Sequence, residues 1–204
     1  MASQPAIPLR FQRAEFESKA RLSPAGLALL AGNPHPVRLL DALSGAGLAQ
    51  DAVYALAMML PHRQVVWWGC LAARLLPDLE RRSADLAAVA AAEAWTQGQA
   101  PAQAEQAGAA AERANRDLAP AWVAQAAFWS GPSIAPRGQH PVAPAPHLPG
   151  TAVRSALVLL MQEPALKGRV TFADWLALGE AMVRGENGAA AQAALRRRLF
   201  EPVA

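Results

Sequence analysis

Apolar residues recur at intervals of three and four positions along most of this 204-residue chain, and that spacing predicts a succession of α-helices. In "LAQDAVYALAMML", for example, Leu48, Ala52 and Ala55 fall on one helical face. Proline and glycine clusters such as "GNPHP" and "SGAG" separate the helical segments. The short turns between segments predict antiparallel neighbours. The predicted fold class is therefore all-α, an antiparallel helical bundle or a set of stacked helical hairpins.

Helix starts are predicted where a capping residue or a proline precedes an apolar run. Pro61 suits the first turn of a helix, because the N–H that proline lacks is not needed there. Ser83 and Thr151 are predicted N-caps. Thr171 is a third, and Asp174 stands three residues later, where a capping box more often has glutamate.

Two segments differ in composition from the other predicted helices. The segment "AQAEQAGAAAERAN" predicts a mostly polar helix on the outside of the fold. Residues 131–150 contain six prolines and three glycines, a composition that excludes a helix. Because this stretch also carries Ile134, Val142 and Leu148, an extended strap lying over the helices is favoured over a flexible linker.

These patterns divide the chain into three parts. Residues 1–20 form an arm, which either packs on the helices or is flexible. Residues 21–185 form a single helical domain that includes the proline-rich strap at 131–150. Residues 186–204 form a helical tail.

The two adjacent tryptophans of "PHRQVVWWGC" fall on different sides of one predicted helix. At 100° per residue, Trp68 joins a broad apolar flank, and a helix this apolar belongs in the centre of a bundle. Trp67 lies in a narrow polar arc between Arg63 and Arg74. Trp68 is therefore predicted in the core. Trp67 is either covered by the arginine side chains or exposed to a partner, since tryptophan and arginine are enriched at binding hot spots.

Composition narrows the classes of protein that the chain can represent. Hydrophobic residues make up 53 % of the sequence, and the net charge is only +3. The one dense basic run is Arg196, Arg197 and Arg198, which suits the last turn of a helix. The first residues lack a signal-peptide pattern, and no apolar run is long enough to span a membrane. A cytoplasmic location without membrane contact is expected.

No familiar catalytic or metal-binding pattern is present in the sequence. The single cysteine, Cys70, lies eight residues after His62 on the same predicted helix, about 12 Å away along its axis. These two residues therefore cannot form a nucleophile–base pair. Phosphate-binding glycine motifs and histidine pairs at metal-ligand spacing are also missing. Glu93 shares a face with Leu86 and Val89, which predicts a partly buried acid paired with an arginine or backbone donors.

Four stretches carry a resemblance to a known family. They are "LPHRQVVWWGCLAAR" (60–74), "AAEAW" (91–95), "AFWSGPSIAP" (127–136) and "PHL" (146–148). Together they resemble an uncharacterised family of bacterial all-helical proteins that are often encoded near type VI secretion genes. The resemblance covers about residues 50–165. It implies an accessory role in secretion and brings no catalytic residues with it.

We therefore predict a non-enzymatic interaction protein, an adaptor or chaperone-like component whose partner is a secretion effector or another adaptor. The predicted partner-binding residues are Trp67, Arg63, Arg74, Trp129, Ile134 and Arg137. No cofactor, metal or catalytic residue is predicted.

Two alternatives remain open at this stage. The first is an enzyme with an unfamiliar site near Cys70, His62 or Glu93. The second, less favoured, is a nucleic-acid-binding protein that uses the basic run at 196–198.

Overall fold

The computed structural model describes residues 7–135 and 138–201, and these residues form α-helices joined by turns and one extended strap. The α-helices are α1 (Arg13–Lys19), α2 (Pro24–Gly32), α3 (Pro36–Gly45), α4 (Ala49–Met59), α5 (His62–Ala73), α6 (Ser83–Gly98), α7 (Pro101–Arg113), α8 (Ala119–Phe128), α9 (Leu148–Leu160), α10 (Phe172–Val183) and α11 (Gly188–Phe200). A short 3₁₀ helix, Leu79–Arg81, precedes α6. No β-strand occurs in the described part of the chain, which confirms the predicted all-α class with its proline-rich strap.

The chain divides into two compact units. Unit 1 contains the residues up to Pro61 together with those from Val170 onward, and unit 2 contains His62–Arg169. The single domain proposed for residues 21–185 stays a prediction. Within residues 7–135 and 138–201, no helix has the length and the apolar composition needed to cross a lipid bilayer.

Unit 1 is built around the packing of α4 against α3 and α10. Tyr54 and Phe172 meet edge to face, with ring centroids 6.1 Å apart. The start of α10 has the predicted capping box, because Thr171 Oγ1 accepts from the Asp174 N–H and Asp174 accepts from the Thr171 N–H. The segment predicted as an arm contains α1, whose Phe16 side chain is buried, so this part of the arm packs on the helices of unit 1.

In unit 2, α5 packs on α6, α8 and α9, and α8 packs on α5, α6, α7 and α9. Gly69 permits this close packing, because an added Cβ would lie 3.3 Å from methyl groups of both Val123 and Val153. Trp68 is fully buried, as its place on the apolar flank of α5 predicts, and Cys70 is fully buried two positions later. The core of this unit depends on small residues that let helix backbones approach one another.

Two predicted N-caps were wrong, by one and by four residues. Ser83 is the first residue of α6, and Arg82 occupies the cap position without a side-chain hydrogen bond. Helix α9 begins at Leu148, three residues before Thr151, because Pro149 fits the first turn of a helix. The strap is therefore shorter at its end than the predicted 131–150.

The alanine-rich helix α7 was predicted on the outside of the fold, and this is wrong for one of its faces. Ala104, Ala107, Ala110 and Ala111 are buried, and the last two join an alanine cluster with α6 and α8. The polar residues of α7 still face outward. The sequence pattern did not indicate this buried face, because its apolar residues are only alanines among glutamates and glutamines. Alanine contributes little apolar area but permits close packing of helices.

Candidate functional site

The two arginines that flank Trp67, Arg63 in α5 and Arg74 directly after its last residue, are held by α6. The Arg63 Nε donates to the carbonyl oxygen of Thr96 at 2.7 Å. Arg74 binds both carboxylate oxygens of Glu93, at 2.8 and 2.7 Å, and reaches Glu80 at 3.2 Å. Trp67 lies half-buried in the same helix. Both guanidinium groups thus already stabilise the α5–α6 pair, which weakens the case for them as partner-binding groups.

Glu93 is the partly buried acid that the sequence pattern predicts. Its side chain is 21 % exposed, and Arg74 supplies the paired cation. The hydrogen bond to Glu93 is the main cause that raises the pKa of Arg74. A carboxylate held in this two-point ion pair is a structural link between helices.

Cys70 lies close enough to Glu93 and Arg74 to feel their charges, but its environment does not favour a reactive thiolate. Complete burial raises the pKa of its thiol well above the ordinary value, and the Glu93 carboxylate raises it further. His62, on the same helix, donates from Nε2 to the carbonyl oxygen of Pro146 at 3.1 Å. The structure therefore keeps the thiol protonated and ties the histidine to the strap.

Cys70 is expected to resist modification by a thiol reagent in the folded protein, because the reagent needs access and a thiolate. We expect no reaction with dithionitrobenzoate over the time in which the unfolded protein reacts completely. The measurement is the absorbance of released thionitrobenzoate with and without denaturant. A rapid native reaction would contradict the burial described here.

Trp129 forms an aromatic pair with Trp122 on the outer side of α8. The two rings meet edge to face with centroids 6.4 Å apart. The Trp122 indole N–H donates to the carbonyl oxygen of Arg116 at 2.8 Å, which fixes the ring. The pair borders a small cavity of about 60 Å³, which Gln125 also lines. Both tryptophans are half-buried, so part of each ring faces solvent.

A second, larger groove lies next to this pair, between α7, α8 and the start of the strap. Its volume is about 330 Å³. It is lined by Pro101, Ala104, Glu105, Gly108, Ala109, Glu112, Gln125, Phe128, Pro132, Ser133 and Ala135. Gln125 borders both this groove and the tryptophan cavity, so the two form one surface, which we call the α8 surface.

The strap beside the α8 surface is an ordered segment. Ser133 Oγ accepts from the N–H groups of Ala135 and Val142, both at 3.0 Å. The Ile134 N–H donates to the Val142 carbonyl oxygen at 2.8 Å. These bonds join the two arms of the strap, and His62 holds its far end. Of the predicted binding residues, Ile134 is half-buried in this segment, while Arg137 lies outside the described residues.

Replacing Ser133 with alanine is expected to loosen the strap while the helices stay folded. The change leaves two backbone N–H groups without their acceptor, at a cost of about 1 kcal/mol for each lost bond. Hydrogen exchange should become faster at Ala135 and Val142 and stay unchanged in α5. Ser18→Ala is a matched control, because that hydroxyl bonds only within α1. Unchanged exchange at Ala135 and Val142 would show that the hydroxyl does not hold the strap.

Other regions are weaker candidates for a binding site than the α8 surface. The basic run of α11 is partly engaged, since Arg198 pairs with Asp174 at 2.5 Å.

A cavity of about 720 Å³ in unit 1 lies at the starts of α2, α4 and α10. The Asp51 carboxylate that lines it already accepts hydrogen bonds from Ser23, the N-cap of α2. Among the residues that the structure describes, no three histidine, cysteine, aspartate or glutamate side chains are grouped to hold a metal ion.

The sequence pattern predicted Trp129 as a binding residue but not its neighbours Trp122 and Gln125. Trp122, Gln125 and Trp129 are spaced three and four residues apart, so they share one face of α8, and that signal was available. The acidic side of the groove, Glu105 and Glu112, could not be assigned without knowing which face of α7 is buried.

Comparison with known proteins identifies a family. No curated protein and no solved structure matches the chain significantly. A model of a family of unknown function, DUF6931, matches residues 39–183, a longer segment than the resemblance over residues 50–165. That match spans well over half of the sequence and includes the whole α8 surface. The chain therefore belongs to this family of unknown function, DUF6931.

Proposed function

We propose that this chain is a non-enzymatic interaction protein and that the α8 surface binds its protein partner. The observation that carries the proposal is the continuity of that surface. A fixed tryptophan pair, a groove of about 330 Å³ and an ordered strap adjoin one another around Gln125. Half-exposed aromatic rings beside a groove are the kind of feature from which binding hot spots are built.

The reactive side chains support an interaction role over an enzymatic one. Cys70 is buried with a raised pKa, and Glu93 is paired with Arg74. His62 donates to the strap. Glu93 and His62 are thus engaged in contacts within the fold, and Cys70 is closed to solvent.

We further propose that the protein is an adaptor or chaperone-like accessory component of bacterial type VI secretion, with an effector or another adaptor as its partner. This rests on the resemblance described above. One of the resembling stretches, residues 127–136, supplies Phe128, Trp129, Pro132 and Ser133 to the α8 surface. The segment that carries the resemblance is thus also the one that builds the surface.

A pull-down from the native host tests this function. Trp129→Ala should lose the partner, with a weakening of about 30-fold or more if Trp129 is a hot spot. Trp67→Ala is the matched control, since Trp67 is also half-buried but lies on α5, away from the residues that line the groove. Thermal melts should show that both variants fold.

The outcomes separate the two parts of the proposal. Equal recovery of the partner by wild type and Trp129→Ala would contradict binding at the α8 surface. A partner that mass spectrometry identifies as unrelated to type VI secretion would contradict the secretion role and leave the surface intact. Catalytic turnover that is lost in Cys70→Ala or Glu93→Ala at unchanged melting temperature would favour the enzyme alternative.

A further inference from the structure

The ring of Trp122 is held by the short turn that joins α7 to α8. Its indole N–H donates to the carbonyl oxygen of Arg116, six residues earlier, at 2.8 Å. The same ring meets Trp129 edge to face, with ring centroids 6.4 Å apart. The orientation of the tryptophan pair on the α8 surface therefore depends on where this turn places one carbonyl group.

The α7–α8 turn, residues 114–118, is closed by two further hydrogen bonds. The N–H of Leu118 donates to the carbonyl oxygen of Asn115 at 3.0 Å. The N–H of Asp117 donates to the side-chain oxygen of Asn115 at 2.9 Å, which is the pattern of an Asx turn. Because Asn115 accepts both bonds, the carbonyl group of Arg116 follows any movement of Asn115.

Asn115 is attached to α6 through a buried carboxylate. Its backbone N–H donates a hydrogen bond to Asp85, which lies in the first turn of α6 and is 5 % exposed. Burial raises the pKa of Asp85, while the charge of Arg82 and the hydrogen bond from Asn115 lower it. The bond from Asn115 to Asp85 therefore joins α6 to the residue that organises the α7–α8 turn.

Three charged groups act on Asp85, and none of these three belongs to α7 or α8. Arg82 lies 3.9 Å from Asp85. Glu163, which follows α9, and Asp78, which precedes the 3₁₀ helix, both pair with Arg82. Close to Asp85, α6 packs on α7 and α8 through a cluster of alanines. The effect of Asp85 on the turn therefore passes through the Asn115 N–H.

We propose that Asp85 is a positioning residue for the α8 surface, because it holds the Asn115 N–H and, through the α7–α8 turn, the ring of Trp122. A ring that is oriented beforehand costs less to order when a partner binds. The charged carboxylate is a stronger acceptor than the neutral acid, so protonation of Asp85 loosens the turn. The effect on partner binding rests on the proposed function, whereas the placement of Trp122 can be measured without a partner.

The indole N–H signal of Trp122, in a proton–nitrogen correlation spectrum of the full chain, reports the placement of its ring. Trp122→Phe assigns this signal among those of the six tryptophans. In the wild type we expect the signal to shift as the pH is lowered from 7 to about 4, the ordinary aspartate pKa, because burial raises the pKa of Asp85. Asp85→Asn keeps an acceptor oxygen but cannot titrate, so it should lose this shift.

Removing the acceptor should also release the ring. In Asp85→Ala, the Trp122 indole N–H should exchange with water about two- to ten-fold faster, since part of the lost hydrogen bond is felt at the ring. Asp78→Asn is the matched control, because Asp78 also pairs with Arg82 but precedes the 3₁₀ helix, and it should leave the exchange rate unchanged. Asp85→Asn should keep a rate near that of the wild type, and its pH response decides the matter if Asp85→Ala does not fold.

Several results would overturn the inference. These are a wild-type Trp122 signal that does not shift with pH, the same shift in Asp85→Asn, or equal exchange in the wild type and Asp85→Ala. Equal acceleration in Asp78→Asn and Asp85→Ala would also contradict it, because the effect would then come from Arg82 and not from Asn115. None of these results touches the proposed function, which fails if partner capture does not depend on Trp129.

Discussion

Replacing Trp68 with alanine is expected to lower the free energy of unfolding by about 3–5 kcal/mol, because the change empties a large volume in the centre of unit 2. Trp68 is 0 % exposed. The adjacent replacement, Trp67→Ala, should cost about 1 kcal/mol or less, since Trp67 is half-buried and its flanking arginines keep their bonds to α6. Urea unfolding of both variants, followed by circular dichroism, gives the comparison.

Trp68→Phe refines this first result. The buried Trp68 Nε1 forms no hydrogen bond within residues 7–135 and 138–201, so phenylalanine removes an unsatisfied donor along with part of the ring. Trp68→Phe should therefore cost clearly less than Trp68→Ala. Similar losses for Trp67→Ala and Trp68→Ala would contradict the assignment of the two tryptophans to different sides of α5.

The second large effect is expected for Arg82→Ala, with a loss of about 3–5 kcal/mol. Arg82 donates to both carboxylate oxygens of Glu163 at 3.0 Å, donates a third hydrogen bond from Nε to Asp78 at 2.9 Å, and lies 3.9 Å from Asp85. Glu163 and Asp85 are buried. Removing the arginine leaves two buried carboxylates without their cation. Thermal or urea unfolding at pH 7 measures the loss.

The loss caused by Arg82→Ala should shrink as the pH is lowered from 7 to about 4, the ordinary pKa of an aspartate side chain. Burial raises the pKa of Asp85, and the charge of Arg82 opposes that rise, so the variant should have a still higher Asp85 pKa in the folded state. A carboxyl group with a raised folded pKa binds a proton more readily when folded, so its cost begins to shrink as the pH falls through the folded pKa and is gone below the unfolded pKa.

A double variant provides the control for Arg82→Ala. Adding Glu163→Gln to it should recover part of the stability, because the amide removes one of the unpaired charges. A loss for Arg82→Ala that is the same at pH 7 and pH 4, and that Glu163→Gln does not reduce, would show that the arginine acts through packing alone.

Local signals in the sequence predicted local features of the fold. Helical phase separated Trp68 from Trp67, and the spacing of Thr171 and Asp174 predicted a capping box that the structure contains. These predictions succeed because they depend on residues within one or two turns of a helix. The start of α9 was missed because Pro149 was assigned to the strap, although proline is equally suited to a first helical turn.

Features that depend on distant residues were predicted poorly. The sequence indicated that Glu93 needs a cation, but not that this cation is Arg74, which had been assigned to partner binding. The Arg82–Glu163 pair joins residues 81 positions apart and leaves no trace in any short pattern. The groove is of the same kind, since α7, α8 and the strap define it only once they are packed together.

Site-specific photo-cross-linking in the native host is the measurement that tests binding at the α8 surface most directly. A photoreactive benzoylphenylalanine at position 109 replaces Ala109, which is exposed and lines the groove. The same group in place of Asp41, an exposed residue of α3, serves as the control. We predict a covalent adduct with one partner protein from position 109 and none from position 41. Adducts from position 41 alone, or equally from both, would contradict binding at the α8 surface.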